Sequence, residues 1–174
     1  GRSAKKWFAV SLRVLKVEVA EQVLADGGHF ERSPGYHLAV MKNLVEIGLL
    51  LRRNSHQVPA WLTDAIGRMS EYLLLITTPD GRVPLLKDTA LDAAPDAGDL
   101  GAVAAVFLDR PDLKPAQIVT ELSELWLTRE ERNRLTCWAG AVPMASVHLA
   151  SSSEHYVARD IDAGHFLIMD VGKV

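Results

Sequence analysis

Apolar residues recur at helical spacing, forming stripes, along most of the first 76 positions of this sequence. In residues 3–25 the stripe consists of apolar side chains three or four positions apart, namely Phe8, Leu12, Leu15, Val19 and Val23, widened by Trp7, Val10, Val14 and Val17. Similar stripes run through residues 34–53 and 59–76. Stripes this wide predict helices whose faces are buried against one another, so the pattern predicts an array of helical hairpins.

Turn and capping residues predict where the helices begin and end. Gly27 is suited to a left-handed cap after the first helix, and Ser33 followed by Pro34 is suited to begin the second. Thr128 and Glu131 have the spacing of a capping box. Shorter helices are accordingly predicted over residues 100–108, 115–127 and 128–138.

The pattern changes from helical to strand-like at residues 141–143. Three short runs rich in β-branched and aromatic residues, at 146–149, 155–158 and 165–169, are separated by polar breaks and predict strands. The sequence therefore predicts a mainly α chain with a C-terminal β part, divided into residues 1–140 and 141–174.

Composition excludes several classes of protein. The chain has 174 residues, of which 48% are hydrophobic and 24% charged, with a net charge of −3. This balance excludes a disordered chain and lacks the basic excess of nucleic-acid binders. The one cysteine, Cys137, cannot form a disulfide within the chain and is predicted to be a small buried side chain. No apolar run approaches the roughly 18–20 residues that a membrane span requires.

The densest group of polar side chains lies between the first two predicted helices. It contains His29, Glu31, Arg32, Tyr36 and His37. Tyr36 falls in the first turn of its helix, where unpaired amides and about half a positive charge favour an anion or a phenolate. Because the pKa of free tyrosine is about 10, a role at neutral pH requires cationic neighbours such as Arg32 or the helix dipole. From these residues alone, the favoured interpretation is a polar loop in which Tyr36 is only packed and hydrogen-bonded.

Other polar groups admit two interpretations each. His29, His37 and Glu31 are candidate metal ligands, but the helical histidine pair or cysteines typical of such sites are absent, and no metal or cofactor is expected. Residues 87–92 either line a cleft or form a solvated loop. The histidines of the predicted strands fit edge or core positions better than ligand positions; they are His148, His155 and His165.

Several segments carry motifs of a known family. Residues 21–37, Glu-Gln-Val-Leu-Ala-Asp-Gly-Gly-His-Phe-Glu-Arg-Ser-Pro-Gly-Tyr-His, resemble the signature of heparinase II/III-like polysaccharide lyases. In that family a helix ending Gln-x-Leu-x-Asp-Gly leads into His-x-Glu-x-Ser-Pro-x-Tyr-His. Residues 78–89 are similar to its Pro-Asp-Gly-x-x-Pro loop with an Asn-Asp-Ser end. Residues 156–159 and 167–172 resemble the first strands of its C-terminal domain.

The resemblance implies a fold and a reaction. The fold is the last helical hairpins of an incomplete α/α toroid, followed by the opening strands of an antiparallel β-sandwich. The reaction is β-elimination on uronic-acid-containing polysaccharides, in which a base removes the proton at C5 of the uronate and an acid protonates the leaving glycosidic oxygen. By motif position, Tyr36 is implied to be the general acid/base. The implied substrate-binding residues are His29, Glu31, Arg32 and His37.

The chain departs from the family pattern at three points. The family's Asn or His that neutralises the uronate carboxylate lies further upstream than the 35 residues that precede Tyr36. A Gly-His-x-His-x-Asp segment is expected after residue 172, and His165 precedes that strand and is not its equivalent. Lys87 stands where the family has Asn, which weakens the case for sugar binding by that loop. We therefore expect the chain to be part of a longer lyase and to be weakly active or inactive alone.

The expected partner is an acidic, uronate-containing polysaccharide, not a nucleic acid or a membrane. One alternative is a non-catalytic carbohydrate-binding or exopolysaccharide-assembly protein of the same fold; another is a helical interaction scaffold without a sugar ligand. For the longer protein we expect a periplasmic or secreted location, although residues 1–6 have no signal-peptide profile. We also expect exposed apolar surface that other segments would cover, and hence self-association.

Overall fold

The computed structural model describes residues 1–78, 80–90, 94–116, 118, 121–138, 155–160 and 165–170. Its helices are α1 (Arg2–Gln22), α2 (Pro34–Arg53), α3 (Ala60–Ile76), α4 (Ala97–Leu108), α5 (Glu121–Trp126) and α6 (Arg129–Cys137), with a 3-10 turn at Pro111–Leu113. Two strands, β1 (His155–Asp160) and β2 (His165–Asp170), pair antiparallel, with His155 opposite Asp170 and Asp160 opposite His165. The described part is mainly helical, as the sequence predicted.

The helix ends agree with the sequence where local capping decides them. The second helix has the predicted bounds, and the capping box at the start of α6 is formed by Thr128 and Glu131. By contrast, α1 ends at Gln22 because the next residue is already extended, and α5 begins at Glu121 rather than near Pro115. The strand predicted at 146–149 and the domain boundary at 141–143 lie outside the described residues.

Cys137 is exposed, so the prediction that it is buried is wrong. Leu135 is the buried side chain of α6, and a residue two positions further along a helix points to nearly the opposite face. The thiol therefore lies on the side of α6 that faces away from the core.

The helix at the centre of the described helices is α4, which packs on α2, α3, α5 and α6. Its sequence consists almost entirely of small and apolar residues, and every residue from Ala97 to Phe107 is buried. A helix that is apolar on all sides is stable in water only when other elements surround it. Among the described residues no helix is both long and apolar enough to cross a membrane.

Two arginines satisfy the polar C-terminal end of α4. Arg52 donates a hydrogen bond to the Phe107 carbonyl at 2.6 Å, and its guanidinium stacks 4.3 Å from the centre of the Phe107 ring. Arg134 donates to the Val106 carbonyl at 3.2 Å. The last carbonyls of a helix have no partner within it, and the negative end of the helix dipole favours cations. These two side chains therefore make the burial of this end possible.

Carboxylates perform the same task at the N-terminal end of α4. Asp96 caps the helix by accepting a hydrogen bond from the Asp99 amide at 2.8 Å. The buried Asp99 side chain in turn accepts hydrogen bonds from the amides of Leu122 and Ser123, at the start of α5. One buried carboxylate thus joins α4 to α5, and its charge is balanced by charge-assisted hydrogen bonds.

The apolar stripe of α1 is buried only at its C-terminal end. Val19 and Val23 are buried, whereas Trp7 is 68% exposed and Val14 and Val17 are also exposed. The prediction that the whole stripe is buried is therefore wrong for the part of the helix that precedes Val19. The apolar residues there line an open groove of about 780 Å³ between α1 and the end of α2, together with Ile47, Leu50 and His56.

Two buried helical glycines provide a matched test of packing. A Cβ atom at Gly48 of α2 would lie 2.5 Å from Cζ of Phe107, whereas one at Gly67 of α3 would meet no described heavy atom outside its own helix within 4 Å. We expect Gly48→Ala to lower the free energy of unfolding by about 1–3 kcal/mol, because the Phe107 ring must move. Gly67→Ala should raise it by about 0.5–1 kcal/mol, because alanine favours helix. Urea denaturation measures both, and shifts of the same sign would contradict this packing.

The groove predicts concentration-dependent association of the chain. In sedimentation velocity, a Trp7→Gln/Val14→Gln double variant should associate less than the wild type, because it removes exposed apolar surface. Leu125→Gln is the matched control, since Leu125 is 75% exposed and does not line the groove. A wild type that is monomeric at every concentration, or an equal effect of Leu125→Gln, would contradict the prediction.

Candidate functional site

The loop between α1 and α2 folds back on the end of α1. Val23 and His29 form an isolated antiparallel bridge, and the Phe30 amide donates to the Gln22 carbonyl at 2.9 Å. These bonds end the helix, because Val23 adopts the extended conformation that the bridge requires. His29 is thereby held beside the last turn of α1.

Gly27 holds this loop against α3. Its φ is +88°, so the predicted left-handed conformation is confirmed, but α1 has already ended at Gln22 and Gly27 does not cap it. A Cβ atom at Gly27 would lie 2.1 Å from the carbonyl oxygen of Arg68 in α3. Glycine is therefore needed here both for its backbone conformation and for the close approach of α3.

His37 is fully buried beneath the start of α2. Its Nε2 lies 3.1 Å from the Met69 carbonyl oxygen, and because a carbonyl only accepts, Nε2 carries the proton. The ring also packs against Tyr72, with 5.1 Å between the ring centres. Burial lowers the pKa of His37 to about 4, although the bond to Met69 opposes the shift and the nearby His29 adds to it.

His29 is buried as well. Its Nε2 lies 3.4 Å from Oε1 of Gln22, and burial lowers its pKa against the opposing charge of Glu31. Neither Nδ1, of His29 or of His37, has a hydrogen-bond partner among the described residues. His37 is therefore neutral at pH 7, and the environment of His29 also favours the neutral ring.

Tyr36 is the accessible member of the cluster. It is the third residue of α2 and is 42% exposed. Ser33 occupies the predicted N-cap position, but its hydroxyl does not cap the helix and instead lies 3.2 Å from the hydroxyl of Thr89. The first turn of α2 thus presents the Tyr36 side chain to solvent while its preceding residues contact another segment.

That other segment is the loop of residues 80–90. Thr89 Oγ1 accepts a hydrogen bond from the Gly35 amide at 3.0 Å, and the Lys87 ammonium donates to the Glu31 carbonyl at 3.4 Å. The predicted turn before it is present, with the Gly81 amide bonded to the Thr78 carbonyl at 2.8 Å. The two segments that carry the family motifs therefore contact each other, although 54 positions separate Gly35 from Thr89.

A cavity of about 380 Å³ is lined in part by Thr89. Its wall is formed by the loop of residues 80–90, by Leu38 of α2 and by the start of α4, including Arg82, Ala94, Asp96 and Ala97. Its volume is within the range of small-molecule sites. The side chain of Thr89 thus lines this cavity and also binds the Gly35 amide in the first turn of α2.

The structure brings together most of the residues that the sequence singled out. Tyr36, Glu31 and Lys87 are exposed and Arg32 is partly so, which gives a phenol, a carboxylate and two cations at one end of α2. The substrate contacts predicted for the buried His29 and His37 remain predictions. Within the described residues, no three His, Cys, Asp or Glu side chains are grouped so that they could hold a metal ion.

Sequence reasoning missed two partners of this cluster. The Met69 carbonyl, which orients His37, has no sequence signal because any residue supplies a carbonyl. Thr89 does have a sequence signal, because it is the last residue of the Lys87–Thr89 motif that the resemblance identifies. Its contact with Gly35, however, depends on how the loop folds.

Comparison with known families assigns the chain. The family model described as Heparinase II/III N-terminus matches residues 2–114, which include α1 to α4 and both motif segments. The chain therefore belongs to the heparinase II/III family.

Two curated relatives agree with this assignment. The chain is 28% identical over 97 residues to a heparin-sulfate lyase of Bacteroides thetaiotaomicron and 30% identical over 90 residues to a heparin-sulfate lyase of Pedobacter heparinus. Each match covers 51% of this chain and 14% of the relative, so the chain corresponds to a small part of such a lyase. No solved structure matches the chain significantly.

The buried His37 predicts a pH-dependent stability. Unfolded histidine has a pKa of about 6.5, so between that pH and about 4 the unfolded chain binds a proton that the folded chain excludes. The free energy of unfolding should therefore fall by about 3 kcal/mol as the pH drops through this interval, and His29 should add to the fall. Urea denaturation between pH 7 and 4 measures this dependence.

His37→Gln should flatten that dependence, because an amide can still donate to the Met69 carbonyl but does not titrate. His56→Gln, at an exposed histidine, is the matched control. An unchanged slope in His37→Gln would show that other groups cause the loss of stability at low pH.

Proposed function

We propose that the longer protein to which this segment belongs is a polysaccharide lyase that cleaves uronic-acid-containing glycans by β-elimination, with Tyr36 as general acid/base. The observation that carries the proposal is the accessible Tyr36 phenol in the first turn of α2, in a chain of the heparinase II/III family. The Lys87 ammonium, which donates to the Glu31 backbone carbonyl, supplies a cation in the same cluster. The positive end of the α2 dipole favours negative charge at this position.

The chemistry requires two proton transfers at one sugar linkage. A base removes the C5 proton of the uronate, the electron pair forms the C4–C5 double bond, and the bond from C4 to the glycosidic oxygen breaks. The leaving oxygen then takes a proton from an acid. A tyrosine phenol can donate this proton, and as a phenolate it can also remove the first one. Neutralising the uronate carboxylate makes the C5 proton more acidic.

The neighbours of Tyr36 have distinct proposed roles. Arg32 and Lys87 are the cations that bind the acidic substrate, and the exposed Glu31 carboxylate contacts sugar hydroxyls. Lys87 replaces the family's Asn and keeps a hydrogen-bond donor at that position while adding a charge. His29 and His37 support the site from within, and direct substrate contact by either ring requires the buried loop to open.

The proposed fold of the longer protein is an α/α toroid followed by an antiparallel β-sandwich. In this proposal α1 to α6 are late helices of the toroid, and β1 and β2 are the opening strands of the sandwich. The open apolar groove between α1 and α2 supports the idea that further helices pack there.

The proposed substrate class is the glycosaminoglycans, because both curated relatives carry the name heparin-sulfate lyase. The net charge of the chain is −3, so attraction to an acidic polymer depends on local cations such as Arg32 and Lys87 rather than on the whole surface. Alginate and acidic exopolysaccharides are the comparison substrates, since a family does not determine its substrate.

The test is the absorbance of unsaturated uronate product formed by the longer protein on heparan sulfate, alginate and an acidic exopolysaccharide. Tyr36→Phe should lower turnover by at least about 100-fold while binding is retained, since general acid–base catalysis contributes about 10²–10⁴-fold. Tyr72→Phe is the matched control, because it removes the same hydroxyl group from a tyrosine of α3 whose ring packs against His37. The 174-residue chain alone should be weakly active or inactive.

Two outcomes would contradict the proposal. Turnover that is unaffected by Tyr36→Phe would exclude the catalytic role, and sugar binding without turnover in the wild type would favour the non-catalytic carbohydrate-binding alternative. Robust turnover by the 174-residue chain alone would show that no further catalytic group is needed.

A further inference from the structure

The hydroxyl of Thr89 uses all of its hydrogen-bonding capacity at the junction of the two motif segments. It donates to the Leu86 carbonyl at 2.8 Å and accepts from the Gly35 amide at 3.0 Å. A threonine hydroxyl has one proton, so the Ser33 hydroxyl, 3.2 Å away, must be the donor in the third bond. One side chain thus binds its own loop and the start of α2 at the same time.

Thr89 caps the start of α2 in place of Ser33, which occupies the N-cap position. A serine at the N-cap normally accepts a hydrogen bond from the second or third amide of its own helix. Here Pro34 has no amide proton and the Gly35 amide is bound by Thr89 instead. The cap of α2 is therefore supplied by a distant loop, and the orientation of the first turn depends on that loop.

The backbones of the two segments also touch. A Cβ atom at Gly35 would lie 3.3 Å from Cα and 3.4 Å from Cγ2 of Thr89, which is tighter than ordinary packing. Glycine at position 35 therefore permits the approach that the hydrogen bond requires. The next residue in the chain is Tyr36, so any shift of this junction moves the phenol.

We propose that Thr89 is a positioning residue, which holds the first turn of α2 and hence the Tyr36 phenol in the geometry for reaction, and which keeps Lys87 over the Glu31 carbonyl. This inference rests on the proposed function of Tyr36. Thr89 itself has no contact with the reacting atoms in this role. A displacement of about 1 Å is enough to lower a rate about 100-fold when geometry controls the reaction.

The first experiment measures turnover of heparan sulfate by the longer protein. Thr89→Val keeps the shape of the side chain but removes all three hydrogen bonds, so kcat should fall at least about tenfold with little change in KM. Thr89→Ser keeps the hydroxyl and should restore kcat to near the wild-type value. Thr77→Val is the matched control, because the Thr77 hydroxyl likewise donates to a backbone carbonyl, that of Leu73 within the last turn of α3.

A merely structural role for Thr89 predicts a different result. In that case Thr89→Val would lower the midpoint of unfolding, as is expected of Thr77→Val, while kcat per folded molecule would stay at the wild-type value. That outcome would overturn the proposal, as would a Thr89→Ser variant as impaired as Thr89→Val.

A second experiment separates this proposal from the proposed function. In the 174-residue chain, amide hydrogen exchange at Gly35, measured by NMR, should be about 3–10-fold faster in Thr89→Val than in the wild type, Thr89→Ser or Thr77→Val, as the loss of one hydrogen bond implies. If the longer protein has no lyase activity, the proposed function fails, and this measurement still decides whether Thr89 orders the turn. Unchanged exchange at the Gly35 amide would overturn the positioning role.

Discussion

The burial of α4 on all sides is the constraint on which the helical part of this structure depends. Most of its residues are small and apolar, and where α2 crosses it the absence of a side chain at Gly48 of α2 leaves room for the Phe107 ring of α4. Burial of a helix also buries its polar ends, which must find partners. Arg52 and Arg134 supply them at the C-terminal end and Asp96 at the N-terminal end, while Asp99 joins α4 to α5. The positions of α2 and α3 are therefore set by contact with α4.

Because α2 and α3 are held in this way, α3 can serve as the floor of the candidate site. Its backbone meets Gly27 through the Arg68 carbonyl and His37 through the Met69 carbonyl. The loop of residues 80–90 then closes on the start of α2 from the other side through Thr89. Tyr36 is exposed between these two supports, so its position depends on three segments that are distant in sequence. This arrangement suits the family assignment, in which one short motif carries the proposed acid/base and its surroundings.

The helices themselves were largely predictable, since apolar periodicity and capping are local properties. The bounds of α2 and the Thr128 capping box followed from residues only a few positions apart. The errors occurred where a contact with another segment decided the outcome. The bridge of Val23 with His29 ended α1 early, Gly27 served the approach of α3 rather than a helix end, and the part of α1 before Val19 lacked a covering element among the described residues. Local patterns contain no information about such contacts.

Residue types and short spacings were enough to predict a mainly helical chain, its resemblance to the heparinase II/III lyases, and the position of Tyr36 in the first turn of a helix. These properties can be read from neighbouring residues. The burial of His29 and His37, the exposure of Tyr36, and the binding of the first amide of α2 by Thr89 rather than Ser33 became known from the folded chain. Burial and hydrogen bonding across 54 positions depend on how the helices pack, and short sequence patterns do not contain that packing.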